Sequence, residues 1–429
     1  MSSEHPDVLV VGGGPAGSIA AFDLARKGYA VVLIDKARHP RATVGESVLP
    51  SIWRYLDQMG VSGAIERDGY VKKGGGVVSW GDAVTEISFR NFAYDRPGLH
   101  VERDAFDLLL LDAARGAGVD VREGVRAESF AEPSQGERGE VAIVEDGGFE
   151  ARLRPRILID ASGQAGFLAR QRDWRRLDPA FRFVSLWGYF AGSRYVGAGG
   201  IVRPFEDMVR FPPMTFVSRL EGWGWSWHIP LRRLTSVGIN VPVDQYRRDS
   251  ARYRSTEEYF LATCASTRYL GDLLEGAAFA DNGVRALRDY SYAIERMAGP
   301  GFFVVGDAAA FVDPIFSLGV VFAAYSGRLA AWAADRTLRR LDTAEHNRRL
   351  YARQMRGRHQ LARAMALPSD RTEATADARL YFDFFSDSEK DLMWSAASMT
   401  TRSDNVVRAA NPQAIMTLKR QELPSLQFA

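Results

Sequence analysis

The first 35 residues alternate between apolar segments and a glycine-rich turn. Residues 7–11 (DVLVV) are apolar and mostly β-branched, which predicts a buried strand. Apolar residues recur at helical spacing over 16–27, where Pro15 suits the start of a helix and Gly28 its end. Residues 29–35 (YAVVLID) predict a second strand. A strand, a helix and a strand within about 30 residues indicate a βαβ unit and therefore a parallel sheet.

Similar apolar strands recur far along the chain. Residues 156–163 (RILIDASG) and 301–307 (GFFVVGD) each predict a buried strand that ends in a turn. Residues 180–245 are rich in alternating, strand-like segments, and residues 318–365 follow a helical period with a break. The segments that resemble a nucleotide-binding domain are therefore separated along the chain by strand-rich insertions. We predict an α/β protein in which a Rossmann-like domain contains an inserted β-sheet domain and precedes a helical C-terminal region.

Composition narrows the class of protein. The chain has 429 residues, of which 46% are hydrophobic and 25% charged, as in globular proteins that bury a large core without disulfides. The net charge of +2 gives no indication of a nucleic-acid partner. We expect no membrane span, because Asp307 and Arg328 interrupt the apolar runs near them. The single Cys264 excludes a multi-cysteine metal site, and without metal-spaced histidines we expect no metal and a reducing, cytoplasmic setting.

The turn after the first strand has the spacing of a dinucleotide-binding site. Gly12 allows the tight turn, Gly14 lets backbone N–H groups approach a pyrophosphate, and Gly17 permits close helix–strand packing. The N-terminus of the following helix offers partial positive charge to phosphates. Asp35 ends the second strand, where its carboxylate can accept hydrogen bonds from ribose hydroxyls. The alternative is a glycine turn that serves packing alone.

A second loop late in the chain favours FAD over a nicotinamide cofactor. The strand over 301–307 ends in Gly306 and Asp307, at the edge of the sheet where ligands bind in open α/β folds. Asp307 can accept a hydrogen bond from a ribityl hydroxyl. Pro314, Ser317 and Gly319 then shape a loop before a helix whose N-terminus can face a flavin or an anion.

These features belong to a longer series of motifs. In chain order the series is Gly12–Gly17, Arg41, Gly45-Glu46-Ser47-x-x-Pro50, Lys73, Val101-x-Arg103, Phe106-Asp107, Asp160–Gly163, Trp225-x-Trp227-x-Ile229-Pro230, and Gly306-Asp307 through Gly319. With these motifs the chain resembles the FAD monooxygenases of the para-hydroxybenzoate-hydroxylase-like superfamily. Within them it resembles the flavin-dependent halogenases that act on phenols and pyrroles. The resemblance extends to about residue 345.

The resemblance implies an arrangement of domains along the chain. We expect a discontinuous FAD-binding domain over 1–75, 95–180 and 285–345. We expect a substrate-side β-sheet domain over 76–94 and 181–284, and a helical C-terminal region over 346–429.

The resemblance also implies roles for particular residues. Those expected to contact FAD are Gly12, Gly14, Pro15, Ala16, Gly17, Asp35, Lys36, Arg41, Glu46, Ser47, Arg103, Gly306, Asp307, Pro314 and Gly319. The halide is expected on the backbone N–H groups of Leu318 and Gly319, and the chain departs from many relatives in having leucine rather than Ser or Thr there. The wall between flavin and substrate is expected to contain Trp80, Trp225, Trp227, Ile229 and Pro230. The alternative for the tryptophans is a core strand with two aromatic residues on one face.

Lys73 is the expected catalytic residue. In the halogenases a lysine at the far end of a tunnel from the flavin hydrogen-bonds hypohalous acid or forms a haloamine with it. The spacing from Lys73 to Trp80 selects this lysine and leaves Lys72 at the surface. A lysine suits the role because burial shifts its amine toward the neutral form. The alternative is that both are surface lysines before a glycine turn.

The resemblance implies the following reaction. FADH2 from a separate flavin reductase reacts with O2 to form a flavin hydroperoxide, which oxidises chloride or bromide to hypohalous acid. Lys73 delivers the halogen to an electron-rich phenol or pyrrole, either free or attached to a carrier protein. The alternatives are an aromatic hydroxylase, a flavin-dependent reductase of prenyl chains, and a flavin-binding protein without turnover.

Overall fold

A mostly parallel sheet contains the strands of the predicted βαβ unit. The structure is a computed structural model that describes residues 4–134, 137–222, 224–280, 283–367, 376–383, 385–400 and 418–428. The strands of this sheet lie in the order Ala298–Gly299, Phe302–Val304, Ile157–Asp160, Val8–Val11, Val31–Asp35 and Asp120–Glu123. All neighbours pair in parallel except the first two. The predicted βαβ unit is confirmed, and segments from distant parts of the chain complete its sheet.

The α-helices are distributed along the described chain and extend into the C-terminal region. They are α1 (Pro15–Ala25), α2 (Trp53–Met59), α3 (Ser62–Arg67), α4 (Arg103–Gly116), α5 (Phe167–Gln171), α6 (Val243–Ser250), α7 (Thr256–Ser266), α8 (Leu270–Leu273), α9 (Gly319–Arg339), α10 (Ala344–Ala366), α11 (Ala376–Phe382) and α12 (Asp387–Met399). No helix in the part of the chain that the structure describes combines the length and apolar character needed to cross a membrane.

A larger, mainly antiparallel sheet lies beside the first. Its strands follow the order Ala278–Phe279, Phe183–Ala191, Thr235–Pro242, Trp225–Pro230, Thr215–Arg219, Gly75–Trp80, Ala83–Ser88 and Gln421–Leu423, and Arg285–Arg288 also pairs with Phe183–Ala191. Most of these strands come from the insertion predicted over 76–94 and 181–284. Arg285–Arg288 comes from a range assigned to the FAD-binding domain, and Gln421–Leu423 comes from the C-terminal region.

The described chain also forms small sheets of three strands each. They contain, in turn, Ser47–Val48, Gly98–His100 and Val71–Lys73; Val125–Ala131, Glu140–Glu145 and Glu150–Leu153; Arg175–Leu177, Tyr292–Ile294 and Ala310–Phe311; and Tyr195–Val196, Ile201–Arg203 and Gln427–Phe428. The predicted α/β fold with a helical C-terminal region is therefore confirmed. The last described residues add two short strands to sheets formed earlier in the chain, a feature that helical periodicity did not predict.

The two helices that frame the glycine turn are in backbone contact. A Cβ atom added at Gly327, in the middle of α9, would lie 2.2 Å from the carbonyl oxygen of Ala16 in α1. Because the obstructing atom belongs to a helix backbone, it cannot rotate away. The absence of a side chain at Gly327 therefore allows α9 to lie this close to α1. Because the glycine turn leads into α1, the same contact helps to fix the position of the turn.

We predict that Gly327→Ala lowers the free energy of unfolding by roughly 1–3 kcal/mol, the usual cost of an overpacked interior. Denaturant unfolding followed by circular dichroism measures this change. Gly116→Ala is the matched control, because Gly116 is helical, exposed and has no atom within 4 Å of an added Cβ. The control should be neutral or stabilising by up to about 1 kcal/mol. Equal effects of the two substitutions would contradict the proposed contact.

Candidate active site

The turn between the first strand and α1 is shaped to hold an anion. Gly12 has φ +111°, and an added Cβ would lie 2.3 Å from the carbonyl oxygen of Ala161. At Gly17 an added Cβ would lie 1.9 Å from the carbonyl oxygen of Gly12. No side chain caps α1, and the N–H groups of Ala16 and Gly17 have no acceptor among the residues described. These free N–H groups at a helix N-terminus fit the pyrophosphate of FAD.

Charged groups are arranged around this turn. Asp35 accepts hydrogen bonds from the backbone N–H groups of Gly13 at 2.7 Å and Ala37 at 2.8 Å. The guanidinium of Arg41 lies 3.9 Å from the carboxylates of Asp35 and Asp107. Asp35 therefore holds the turn in shape in addition to its predicted contact with ribose.

The end of the strand predicted over 301–307 meets the same turn. An added Cβ at Gly306 would lie 3.3 Å from the Cβ of Ala16. Arg103 donates to Asp107 at 2.8 and 3.0 Å and to the carbonyl oxygen of Val44 at 2.8 Å. Burial raises the pKa of Asp307, while the positive charges of Arg358 and Arg103 act against that rise. The structure thus brings the early and late predicted FAD contacts together, whereas Lys36 is exposed.

Lys73 lies at the base of a separate, apolar pocket. Its side chain is 3% exposed, and its Nζ donates to Ser47 Oγ at 2.8 Å and to Ser317 Oγ at 3.4 Å. The Nζ also lies 5.3 Å from the centre of the Phe89 ring. Burial lowers the pKa of Lys73 to about 7. The neighbouring Lys72 forms an ion pair with Glu66 at 2.7 Å, so the two lysines have different environments.

The pocket walls come from distant parts of the chain. Its described lining consists of Leu49, Lys73, Gly75, Gly76, Val78, Ile87, Phe89, Thr215, Val217, Ile315, Phe316, Ser317, Leu318, Met365, Leu392, Met393, Ala396, Met399 and Thr400. The residues from 392 to 399 belong to α12, so the C-terminal region closes the side of the pocket opposite the large sheet. Among the described lining, Lys73 is the residue with an ionisable side chain.

The tryptophan segment packs against this pocket. Trp225 and Trp227 lie on one face of their strand with ring centres 5.8 Å apart, and they share an apolar cluster with Phe89 and Ile315 of the pocket lining. Ile229 belongs to the same cluster. Trp80 packs at its margin and has Arg219 over its ring at 5.9 Å, and the backbone carbonyl of Pro230 accepts from His100 at 3.0 Å.

Hydrogen bonds to the Glu46 carboxyl connect this part of the chain to the tryptophan segment. Tyr189 donates to its Oε1 at 2.6 Å and Ser236 donates to its Oε2 at 2.9 Å. Trp227 Nε1 in turn donates to Ser236 Oγ at 3.1 Å. Burial raises the pKa of the Glu46 carboxyl, and the two hydroxyl donors act against that rise. The described hydrogen bonds of the Glu46 carboxyl are thus made with Tyr189 and Ser236, and its contact with FAD remains a prediction.

The loop before α9 separates the pocket from the dinucleotide turn. Asp313 Oδ1 accepts from Ile315 N at 3.0 Å and caps the short helical turn Pro314–Phe316. Ser317 then adopts a left-handed conformation with φ +56°, and α9 starts two residues later. The N–H groups of Leu318 and Gly319 find no acceptor within the described ranges, which suits the predicted halide site.

Two residues missed in the sequence extend the contacts of Lys73. Ser47 Oγ lies 3.0 Å from Thr215 Oγ1, which lies 2.8 Å from His100 Nε2. Thr215 is on the large sheet and His100 is on the small sheet that also carries Ser47 and Lys73. The available signal was a histidine directly before the Val101-x-Arg103 motif, because an imidazole that becomes buried there needs hydrogen-bond partners.

Comparison with known proteins identifies the family. Residues 5–185 match a family model described as an FAD binding domain. The chain is 30% identical to a 1H-pyrrole-2-carbonyl-(peptidyl-carrier protein) chlorinase of Pseudomonas fluorescens over 77% of this chain and 76% of that protein. The crystal structure of CmlS, a flavin-dependent halogenase, matches with a TM-score of 0.74 at 30% identity over 91% of this chain and 72% of that chain. This chain belongs to the flavin-dependent halogenases.

A further halogenase relative differs in length. A tryptophan 2-halogenase of Chondromyces crocatus is 37% identical over 328 residues, which are 76% of this chain and 60% of that protein. The chain therefore spans less than two thirds of the length of that relative. Membership of the halogenases confirms the expected family, and the matching domain model supports FAD binding.

We predict that Lys73 makes the stability of the protein rise with pH. The folded-state pKa of about 7 lies below the ordinary value of 10.5, so between these values the unfolded chain binds a proton that the folded one does not. The free energy of unfolding of the wild type relative to Lys73→Met should therefore rise by about 1.4 kcal/mol per pH unit above pH 7.

Urea unfolding of both proteins between pH 6.5 and 9.5 measures this difference. Lys72→Met provides the matched control for loss of a neighbouring lysine. Parallel pH dependences for wild type and Lys73→Met would show that the amine is not buried in the folded state as described.

Proposed function

We propose that this protein halogenates an electron-rich aromatic ring, a phenol or a pyrrole, either free or attached to a carrier protein. Its cosubstrates are O2 and chloride or bromide, with reduced FAD delivered by a separate flavin reductase. The observation that carries the proposal is the environment of Lys73: a buried amine without an ionised partner among the described residues, in an apolar pocket, in a chain of the halogenase family.

Different backbone groups of the chain would hold the pyrophosphate of FAD and the halide. Bound reduced FAD, with O2, supplies the oxidising power that converts the halide to hypohalous acid. The N–H groups of Ala16 and Gly17 would hold its pyrophosphate, and those of Leu318 and Gly319 would hold the halide. The separate reductase is proposed because the sequence offers one strand, glycine turn and helix unit for a dinucleotide, and FAD takes that unit.

Lys73 would carry the halogen to the ring. Its neutral amine can take the halogen of hypohalous acid: the N–halogen bond forms, the O–halogen bond breaks, and the amine proton leaves with hydroxide as water. The ring carbon then bonds to the halogen, the N–halogen bond breaks, and the ring loses a proton. An amine whose pKa lies near 7 is substantially neutral near neutral pH, and the neutral form is the one that takes the halogen.

The pocket lining supports a ring without charged substituents. Lys73 is the ionisable group in the described lining, and the other polar side chains there are Thr215, Ser317 and Thr400. An ammonium group on the substrate would have to leave water without an opposite charge from that lining, and a carboxylate would meet there only the Lys73 amine, which takes the halogen in its neutral form. We therefore propose a neutral phenol or pyrrole, including one held as a neutral carrier-bound acyl group.

We predict halogenated product when the purified protein is supplied with FAD, a flavin reductase, NADH, O2, bromide or chloride, and a panel of phenols and pyrroles. Mass spectrometry detects the halogen by its mass shift and isotope pattern. Lys73→Ala should reduce product at least about 100-fold while leaving FAD binding and the oxidation of reduced flavin intact. Lys72→Ala is the matched control. Product that gains only oxygen across the panel would identify a hydroxylase instead.

We predict that 4-methylphenol is halogenated with at least about tenfold higher kcat/KM than tyrosine, because the two share one ring and differ in the charged groups. Competition between the two in a single reaction, followed by mass spectrometry, measures the ratio. A preference for tyrosine would indicate that charge-binding residues outside the described lining face the pocket.

A further inference from the structure

A buried chain of hydrogen bonds leads away from the Lys73 amine. It runs from Lys73 Nζ through Ser47 Oγ at 2.8 Å, Thr215 Oγ1 at 3.0 Å and His100 Nε2 at 2.8 Å. It ends where His100 Nδ1 lies 3.0 Å from the carbonyl oxygen of Pro230. All four side chains are less than 9% exposed. The chain joins the small sheet that carries Lys73 to the large sheet that carries the tryptophan segment.

The final acceptor determines the direction of every bond in this chain. A carbonyl oxygen can only accept, so His100 Nδ1 must carry the proton that is donated to Pro230. Burial, and next the charge of Lys73, hold the pKa of His100 well below its ordinary value, so the ring is neutral and its Nε2 accepts. Thr215 therefore donates to His100, and Ser47 donates to Thr215.

This direction decides what Ser47 can offer to the amine. Because its hydroxyl hydrogen is donated to Thr215, Ser47 meets Lys73 only as an acceptor. Ser317 Oγ donates to Ser47 Oγ at 2.9 Å, so it also meets Lys73 only as an acceptor. A neutral amine has two N–H bonds, and these two oxygens receive both. The nitrogen lone pair then has no donor among the described hydrogen-bond partners of Lys73.

We propose that Thr215 and His100 are positioning residues: they keep the Ser47 hydroxyl hydrogen away from Lys73 and so leave the amine lone pair free for the halogen. The transfer of halogen to this lone pair rests on the proposed function. The direction of the hydrogen bonds does not, because it depends only on the residues of the protein.

No ionised side chain of the described residues competes for this amine. His100 is the titratable group that faces it from the strand Gly98–His100, and the strand Thr215–Arg219 presents the Thr215 hydroxyl. The carboxyl of Glu46, beside Ser47, is directed at Tyr189 and Ser236. Burial is the cause of the lowered pKa of Lys73, with no charged neighbour contributing.

The test compares Thr215→Val with Thr215→Ser. Valine has nearly the same shape but no hydroxyl, so the Ser47 hydrogen loses its acceptor and turns to the lone pair of Lys73. This bond stabilises the neutral amine, and the midpoint of Lys73 titration should fall by about half to one pH unit. Halogenation should fall roughly three- to tenfold. Serine keeps the hydroxyl and should restore the wild-type midpoint. His100→Leu should act like Thr215→Val, and His100→Gln, which can both donate and accept, should act like Thr215→Ser.

The titration is measured without turnover. Trace acetylation with acetic anhydride between pH 5.5 and 10, read by peptide mass spectrometry, reports the reactive fraction of Lys73, with Lys72 as the internal standard. A common midpoint in wild type, Thr215→Val and His100→Leu would overturn the proposal, as would absence of acetylation at Lys73 in the wild type. If the protein halogenates nothing, the proposed function fails, yet the shift in midpoint still decides whether the chain orients the amine.

Discussion

The burial of one amine without an ionised partner constrains the rest of the site. Placing the Lys73 ammonium in an apolar pocket costs free energy, and the protein responds with a pKa near 7 rather than with a counter-ion. A carboxylate beside Lys73 would hold the proton and remove the neutral amine on which the proposed function depends. The surroundings accordingly offer neutral oxygens, from Ser47 and Ser317, and an aromatic ring, from Phe89.

This constraint explains why distant segments converge on the pocket. Ser47 and Lys73 lie on different strands of one small sheet, Thr215 lies on the large sheet, and Ser317 lies in the loop before α9. Each contributes one hydroxyl or amine, and their N–H and O–H groups find acceptors among one another and at His100. Misplacement of any one strand would leave a buried polar group unpaired, so the chemistry of the pocket and the relative position of the sheets depend on each other.

The parts of the protein that follow from local rules were predictable from sequence. The βαβ unit and the glycine turn rest on periodicity and motif spacing, and the structure places them as expected. Motif spacing also distinguished Lys73 from Lys72, but the expectation that Lys72 lies at the surface is wrong, because its Nζ is buried and paired with Glu66. The roles of Thr215 and His100 rest on pairing across strands more than 100 residues apart in the chain, which periodicity does not encode. The same holds for Gln421–Leu423, whose three residues form a strand because an open edge of the large sheet is there to receive them.

The pocket has a polar, hydrogen-bonded side and an apolar side, and substitutions affect the two sides differently. The polar chain around Lys73 is formed by the sheets and the loop before α9, whereas α12 contributes apolar side chains such as Leu392, Met393 and Met399. Substitutions in α12 can therefore change the size and shape of the accepted ring without breaking a hydrogen bond to the amine. On the proposed function, the residues around the Lys73 amine and the substrate range can vary independently in evolution or directed selection, and α12 is the segment in which new substrate ranges would arise.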